Sequence, residues 1–270
     1  MIIAAETHSM VETQEKKLVT IASGKGGVGK TWLAITLSHA LAALDNRIML
    51  FDGDLGLANV DIQLGLTPRR DLGSVLSGSH KISEALTRYE AEGADKTGFD
   101  VLVGKSGSGA LSMIAKERLI GLRQGLIQAA SQYDFIILDM AAGVDSSVST
   151  LANHQGMNLV VVTAEPTSLT DAYAYIKLRR MRDPQADIRI VVNQAVDRNE
   201  GNATFETLQK ACASFLKFKP RLAGIIPMDA NVRKSIRHQS SILNRFPQSP
   251  AALAVNNLAK NLIATARREV

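Results

Sequence analysis

The apolar run Leu18-Val-Thr-Ile-Ala-Ser23 leads into Gly24-Lys25-Gly26-Gly27-Val28-Gly29-Lys30-Thr31, and the chain continues from there as a helical pattern to Leu44. A strand, a glycine-rich loop and a helix in that order fit G-x-x-x-x-G-K-[ST] in the context this spacing needs. The glycines let backbone N–H groups turn inward on one point, and the helix N-terminus adds its positive dipole. Such a loop is built for phosphate. Lys30 lies along the β- and γ-phosphates of a nucleotide, and Thr31 offers its hydroxyl to Mg²⁺. Gly24, Lys25, Gly26, Gly27, Val28, Gly29, Lys30 and Thr31 are therefore candidate ATP/ADP-binding residues. Trp32 is grouped with them as a residue able to stack on a ligand, although a side chain in the first helical turn beside a sheet more often packs.

Further Val/Ile-rich runs recur at Ile48–Asp52, Val101–Val103, Phe135–Asp139, Leu159–Thr163, Ile188–Asn193 and Leu222–Ile226. Helix-length segments separate them at Lys116–Ala130, Leu169–Arg182 and Phe205–Phe218, with a terminal helix over about 250–268. Strands apolar on both faces, alternating with helices, make an α/β fold: a single doubly wound, mainly parallel sheet of seven to eight strands with helices on both faces. Residues 1–16 read as an N-terminal extension and 17–270 as one domain. The irregular stretch Gly65–Lys96, with Pro68 and short apolar pieces, reads as short helices over one end of the sheet.

The 46% hydrophobic and 21% charged composition excludes a disordered chain. The single Cys212 excludes an intramolecular disulfide or multi-cysteine metal site. His39, His80, His154 and His238 lack metal-ligand spacing. There is neither an apolar stretch near the roughly 18 residues of a membrane span nor a secretory leader, so a cytoplasmic protein is expected. A net charge of +5 suits an anionic partner without choosing among them.

Asp52 and Asp54 sit two apart at the end of the second strand and project to one side. Two acids beside phosphate repel it unless a metal lies between them. Asp139 closes Phe135-Ile-Ile-Leu138 at the same edge of the sheet, where a carboxylate can serve Mg²⁺.

The unit K-G-G-x-G-K-[ST] with Asp52-Gly53-Asp54 resembles the deviant Walker A ATPases of the MinD/ParA superfamily, which share the P-loop fold. The resemblance implies that Lys25 reaches across an ATP-dependent homodimer to the partner's phosphates. It implies catalytic roles for Lys25, Lys30 and Asp54, with Asp54 orienting the attacking water. Thr31, Asp52 and Asp139 become the Mg²⁺ set, and Gly143 the glycine of a mobile switch. Asn193 and the Pro227-Met228-Asp229 loop match the elements that recognise adenine. Met140-Ala141-Ala142 departs from the Thr or Ser, then Pro or Gly, usual after the acid.

The strings Asp52-Gly-Asp-Leu-Gly-Leu-Ala-Asn-Val-Asp61 and Ile226-Pro-Met-Asp-Ala-Asn-Val-Arg-Lys-Ser-Ile-Arg-His-Gln239 look most like the FlhG/FleN (YlxH) branch, MinD-like ATPases that control flagellar number and placement. That branch implies slow hydrolysis stimulated by a protein partner, with possible peripheral contact at the inner membrane or pole. The end of the chain has Val255, Leu258 and Leu262 in a helical stripe near Lys260, Arg267 and Arg268, but no aromatics, and reads as a helix packed on the domain. Other readings are a ParA-like partition ATPase on nonspecific DNA, with Arg233, Lys234 and Arg237 on one short helix, and a MinD-like cell-division regulator. An Mrp-type cluster carrier lacks its C-x-x-C, and a metabolic enzyme would form products beyond ADP and phosphate.

Overall fold

The apolar runs form β1 (Leu18–Ala22), β2 (Ile48–Gly53), β3 (Leu86–Glu90), β4 (Gly98–Leu102), β5 (Phe135–Met140), β6 (Met157–Val162), β7 (Ile188–Ala195) and β8 (Arg221–Pro227). These come from a computed structural model that describes residues 10–91, 97–104 and 114–266. The helices are α1 (10–15), α2 (Lys30–Ala42), α3 (Val60–Leu64), α4 (Leu72–Leu76), α5 (Lys116–Ala129) and α6 (Ser146–Leu151). They continue with α7 (Pro166–Arg182), α8 (Arg198–Leu216), α9 (Ala230–Arg237), α10 (Ile242–Arg245) and α11 (Pro250–Ala266). All eight strands join one sheet in the order β3-β4-β2-β5-β1-β6-β7-β8, and only β3 against β4 is antiparallel.

Successive side chains on a strand face opposite ways. In β5, Ile136 and Leu138 enter the core covered by α5 to α8, while Phe135 and Ile137 enter the one covered by α2 and α11. β1 lies between β5 and β6, and the chain winds outward from it in both directions. Loops leaving the C-terminal ends of β1, β2 and β5 therefore meet at the point where strand order reverses, where open α/β sheets bind ligands.

α2 is buried from Trp32 to Leu41. It lies between the sheet and α11, so it has no polar face of its own. Its His39 shares a hydrogen bond with Ser241 Oγ at 2.8 Å, and burial pushes the imidazole down to about 4. The apolar stripe of α11, including Val255, Leu258 and Leu262, is buried on the domain. Residues 267–270, which include the basic Arg267 and Arg268, lie outside the described residues. Among the described residues no helix is long and apolar enough to cross a membrane.

The structure corrects the reading of Gly65–Lys96. α4 and a 3-10 turn at Ile82–Glu84 are there, but Leu86–Glu90 is the edge strand β3. An edge needs one buried position rather than an apolar run, and Tyr89 fills it against Phe99, while Arg88 pairs with Asp100 at 3.2 Å. The strand expected at Val101–Val103 runs instead from Gly98 to Leu102, because it pairs with β3. α8 starts seven residues before the expected Phe205, at a polar turn capped by Asp197, whose side chain accepts from Glu200 N at 2.8 Å.

Because Leu258 is buried between α11 and the core, Leu258→Ala should cost roughly 2–5 kcal/mol in denaturant unfolding. A cost below about 1 kcal/mol would mean that α11 is undocked in solution.

Candidate functional site

The loop after β1 is closed to side chains at both ends. A Cβ on Gly24 would lie 2.2 Å from the backbone of Asp171 in α7, and one on Gly29 would lie 2.5 Å from Asn193 Nδ2. Gly27 and Gly29 also hold φ of +79° and +91°, which favours glycine. Asn193 is buried at the end of β7, and its Nδ2 donates to Val28 O at 2.8 Å. Ser23 Oγ donates to Lys25 O at 2.6 Å and accepts from Lys30 Nζ at 2.8 Å. Lys30 is pulled below the usual lysine range by burial, against the opposing charges of Asp139 and Asp54. Its ammonium is thus a desolvated cation inside a ring of backbone, ready for phosphate. Trp32 packs its indole into the core beside α11.

Asp52 and Asp139 are register partners on the adjacent parallel strands β2 and β5, and both are buried. Asp52 Oδ2 accepts from Asn59 N and Val60 N at 3.1 Å, and its Oδ1 from Asp54 N at 3.3 Å. Burial, then repulsion from Asp139, pushes the Asp52 carboxyl well above the usual carboxylate range. Burial does the same to Asp139, against a Thr31 hydrogen bond and the Lys30 charge. Asp139 Oδ1 is buried and makes no hydrogen bond. An orphaned carboxylate oxygen, a second carboxylate beside it and a hydroxyl together fit a hard divalent cation. Among the described residues no cluster of three or more His, Cys, Asp or Glu could hold a metal. Water and phosphate would therefore fill most of the shell, as Mg²⁺ prefers.

Asp54 is half-buried, and its Oδ1 accepts from Leu57 N at 2.9 Å and Gly56 N at 3.3 Å. Gly143, with φ +99°, donates its N–H to Ser23 O at 2.9 Å, so it is engaged with the strand that feeds the loop. Pro227 ends β8 opposite Ala195, and Met228 N donates to Ala195 O at 2.8 Å. Asp229 caps α9 through Asn231 N at 2.8 Å and accepts from Ala251 N at 3.2 Å. Against a burial cost, those bonds hold its carboxyl below the usual range. Its side chain fastens β8 to α9 and α11.

Lys25 behaves differently from Lys30. Its Nζ leaves the loop for the start of α7, where it meets Glu165 Oε2 at 2.5 Å and Thr167 Oγ1 at 2.8 Å. Sequence reading missed both partners. The signal was Glu165-Pro166-Thr167, a proline at a helix N1 position with polar neighbours.

The model of the CobQ/CobB/MinD/ParA nucleotide binding domain matches residues 19–242. The chain is similar to antiactivator FleN of Pseudomonas aeruginosa, at 36% identity over 91% of this chain and 86% of that protein. It is also similar to flagellum site-determining protein YlxH of Helicobacter pylori, at 25% over 92% of this chain and 82% of that one. In three dimensions it resembles septum site-determining protein MinD of Pyrococcus horikoshii, solved with Mg-ADP, with a TM-score of 0.77 at 22% identity, covering 94% of this chain and 98% of that one.

Because both buried carboxyls are raised, the folded state holds more protons than the unfolded chain. Stability without ligand should therefore fall as pH rises from the ordinary carboxylate range towards neutrality and above. Thermal melts across that window should show the fall. Asp139→Asn should flatten it, and Mg²⁺ with ADP should offset it most at the alkaline end.

Proposed function

The chain belongs to the CobQ/CobB/MinD/ParA nucleotide-binding family, and on that premise we propose an ATPase switch, dimeric with ATP and monomeric with ADP or no nucleotide, that sets the number or placement of flagella. The observation that carries this reading is the position of Lys25. A lysine needed for the chain's own phosphates would stay in the loop, as Lys30 does; Lys25 instead extends onto α7, with its side chain 37% exposed.

Within one subunit, the loop N–H groups and Lys30 bind the phosphates, and Asn193 with the 227–229 backbone flanks the base. Thr31, Asp52 and Asp139 would hold Mg²⁺, which neutralises charge on the phosphates when bound. Asp54 orients a water for attack on the γ-phosphorus. The new P–O bond forms as the bond to the β–γ bridging oxygen breaks, leaving ADP and inorganic phosphate. Charge growing on the transferred group is met by Lys30 and, in the dimer, by the partner's copy of Lys25. Loss of the γ-phosphate removes the anion that Lys25 binds in trans, and the dimer relaxes.

Before dimerisation, Glu165 and Thr167 occupy Lys25. The pair is exposed, with Glu165 at 64%, so screening keeps it cheap to break. It weights the balance towards monomer without locking it. Turnover is accordingly slow until a protein partner favours the competent dimer. Similarity to FleN and YlxH supports a flagellar role, carried out in the cytoplasm or at its membrane face. The MinD-like fold supports a second reading, a regulator of the division site with the same cycle.

Light scattering tests the switch. Mass should double with Mg-ATP but not with Mg-ADP, most clearly in Asp54→Ala, whose hydrolysis should drop roughly 100-fold or more. Lys25→Ala should still bind ATP yet stay monomeric; an unchanged dimer would sink the trans role. Glu165→Gln should shift dimerisation to lower ATP or protein concentration.

A further inference from the structure

At the edge of the sheet away from the phosphate loop stands the charge-reversed counterpart of the Asp52–Asp139 pair. Arg189 in β7 and Arg221 at the start of β8 are register partners on adjacent parallel strands. Like charges placed side by side in a sheet repel. Asp187 offsets one of them: its carboxylate takes Arg189 Nη2 at 2.7 Å and Nε at 3.0 Å, while Nη1 reaches Thr265 Oγ1 at 3.3 Å. Arg221 is exposed, and among the described residues no carboxylate lies within ion-pair distance of it. Its charge is thus not offset by any carboxylate among the described residues.

Both arginines line a cavity of about 350 Å³. A neighbouring hollow of about 370 Å³ shares Arg189, Arg221 and Thr265 with it. Lys16, Arg180 and Lys219 add positive charge to the first cavity, against Asp187 as the one acid among its described lining residues. Lys16 has a half-exposed partner in Glu12 at 3.6 Å. Arg180 is held in place, its guanidinium 4.3 Å over the Phe218 ring and donating to Pro184 O. The volume lies in the range of small-molecule sites, and a concave wall concentrates the field of these cations. Paired guanidinium groups match phosphate oxygens two at a time, which a scattered solvated face does not. The strands put this cavity roughly 15–20 Å from the phosphate loop.

We propose that this cavity is a second anion site, separate from the ATP loop, in which the phosphate group of a small molecule bridges Arg189 and Arg221 while Lys219 and Arg180 bind its remaining charge. The ligand relieves the arginine repulsion much as a metal relieves the carboxylate pair.

Calorimetry on the full chain, its loop saturated with Mg-ADP, gives the test with inorganic pyrophosphate as probe. The wild type should show one further saturable binding event. Arg221→Gln and Arg221→Gln/Lys219→Gln should weaken it at least tenfold, with Mg-ADP affinity and circular dichroism unchanged. A parallel sedimentation with phosphatidylglycerol–phosphatidylcholine vesicles, against phosphatidylcholine alone, identifies the source of the phosphate. Anionic-vesicle binding that Arg221→Gln abolishes supports the site and assigns it a lipid headgroup, even where free pyrophosphate fails to bind. Absence of saturable binding to either probe overturns the proposal, and so does binding that Arg221→Gln leaves unchanged.

Discussion

Two carboxylates buried side by side, Asp52 and Asp139, set the terms for everything at the C-terminal edge of the sheet. Neither would stay there on its own account, since burial and repulsion both favour their neutral forms. The surrounding structure is the set of groups that makes the pair tolerable. Asn59 and Val60 turn their N–H groups onto Asp52, Thr31 serves Asp139, and the Lys30 charge faces Asp139 and Asp54. What is left unsatisfied in this pair is one oxygen of Asp139, buried and without a hydrogen bond.

The first turn of α2 carries Lys30 and Thr31, so the placement of α2 decides where the charges meet. The sheet lies on one side of α2 and α11 on the other. Each of these contacts is apolar, from Leu33 and Leu37 in α2 to Val255 and Leu262 in α11. Asp229 ties the start of α11 to β8, which joins the 227–229 loop to the same framework. A helix wedged in this way cannot tilt without opening a core, and the phosphate loop inherits that rigidity.

Much of this was legible in the residues, because it rests on local rules. Glycine spacing between a strand and a helix identifies the loop wherever it occurs, and Asp52 and Asp139 are visible as acids that end apolar strands. β3 was not legible: an edge strand buries little, so Leu86-Thr-Arg-Tyr-Glu90 carries no apolar run. The first turns of α8 were hidden for a related reason, since Asp197 and Glu200 begin a helix whose apolar stripe comes later. Glu165 and Thr167 are 140 and 142 residues from Lys25 in sequence, and only the wound sheet brings them to it. Asn193 was legible as a strand-end residue of the site, but its grip on Val28 O follows from β7 lying beyond β6, which no local pattern states.

Gly24 touches the backbone of Asp171 with no side chain between them, so the phosphate loop and α7 share a wall. The same helix holds Lys25 at its first turn. α7 also presents an outer face towards α8, where the Phe215 ring stands 78% exposed. α7 thus meets the loop near its first turns and packs against β6 and α8 further along. A shift of α7 would therefore carry the wall of the loop with it, and a misplacement of about 1 Å at a reacting centre can cost roughly 100-fold in rate. The wall of the nucleotide loop is thus continuous with a helix whose far face lies well outside it.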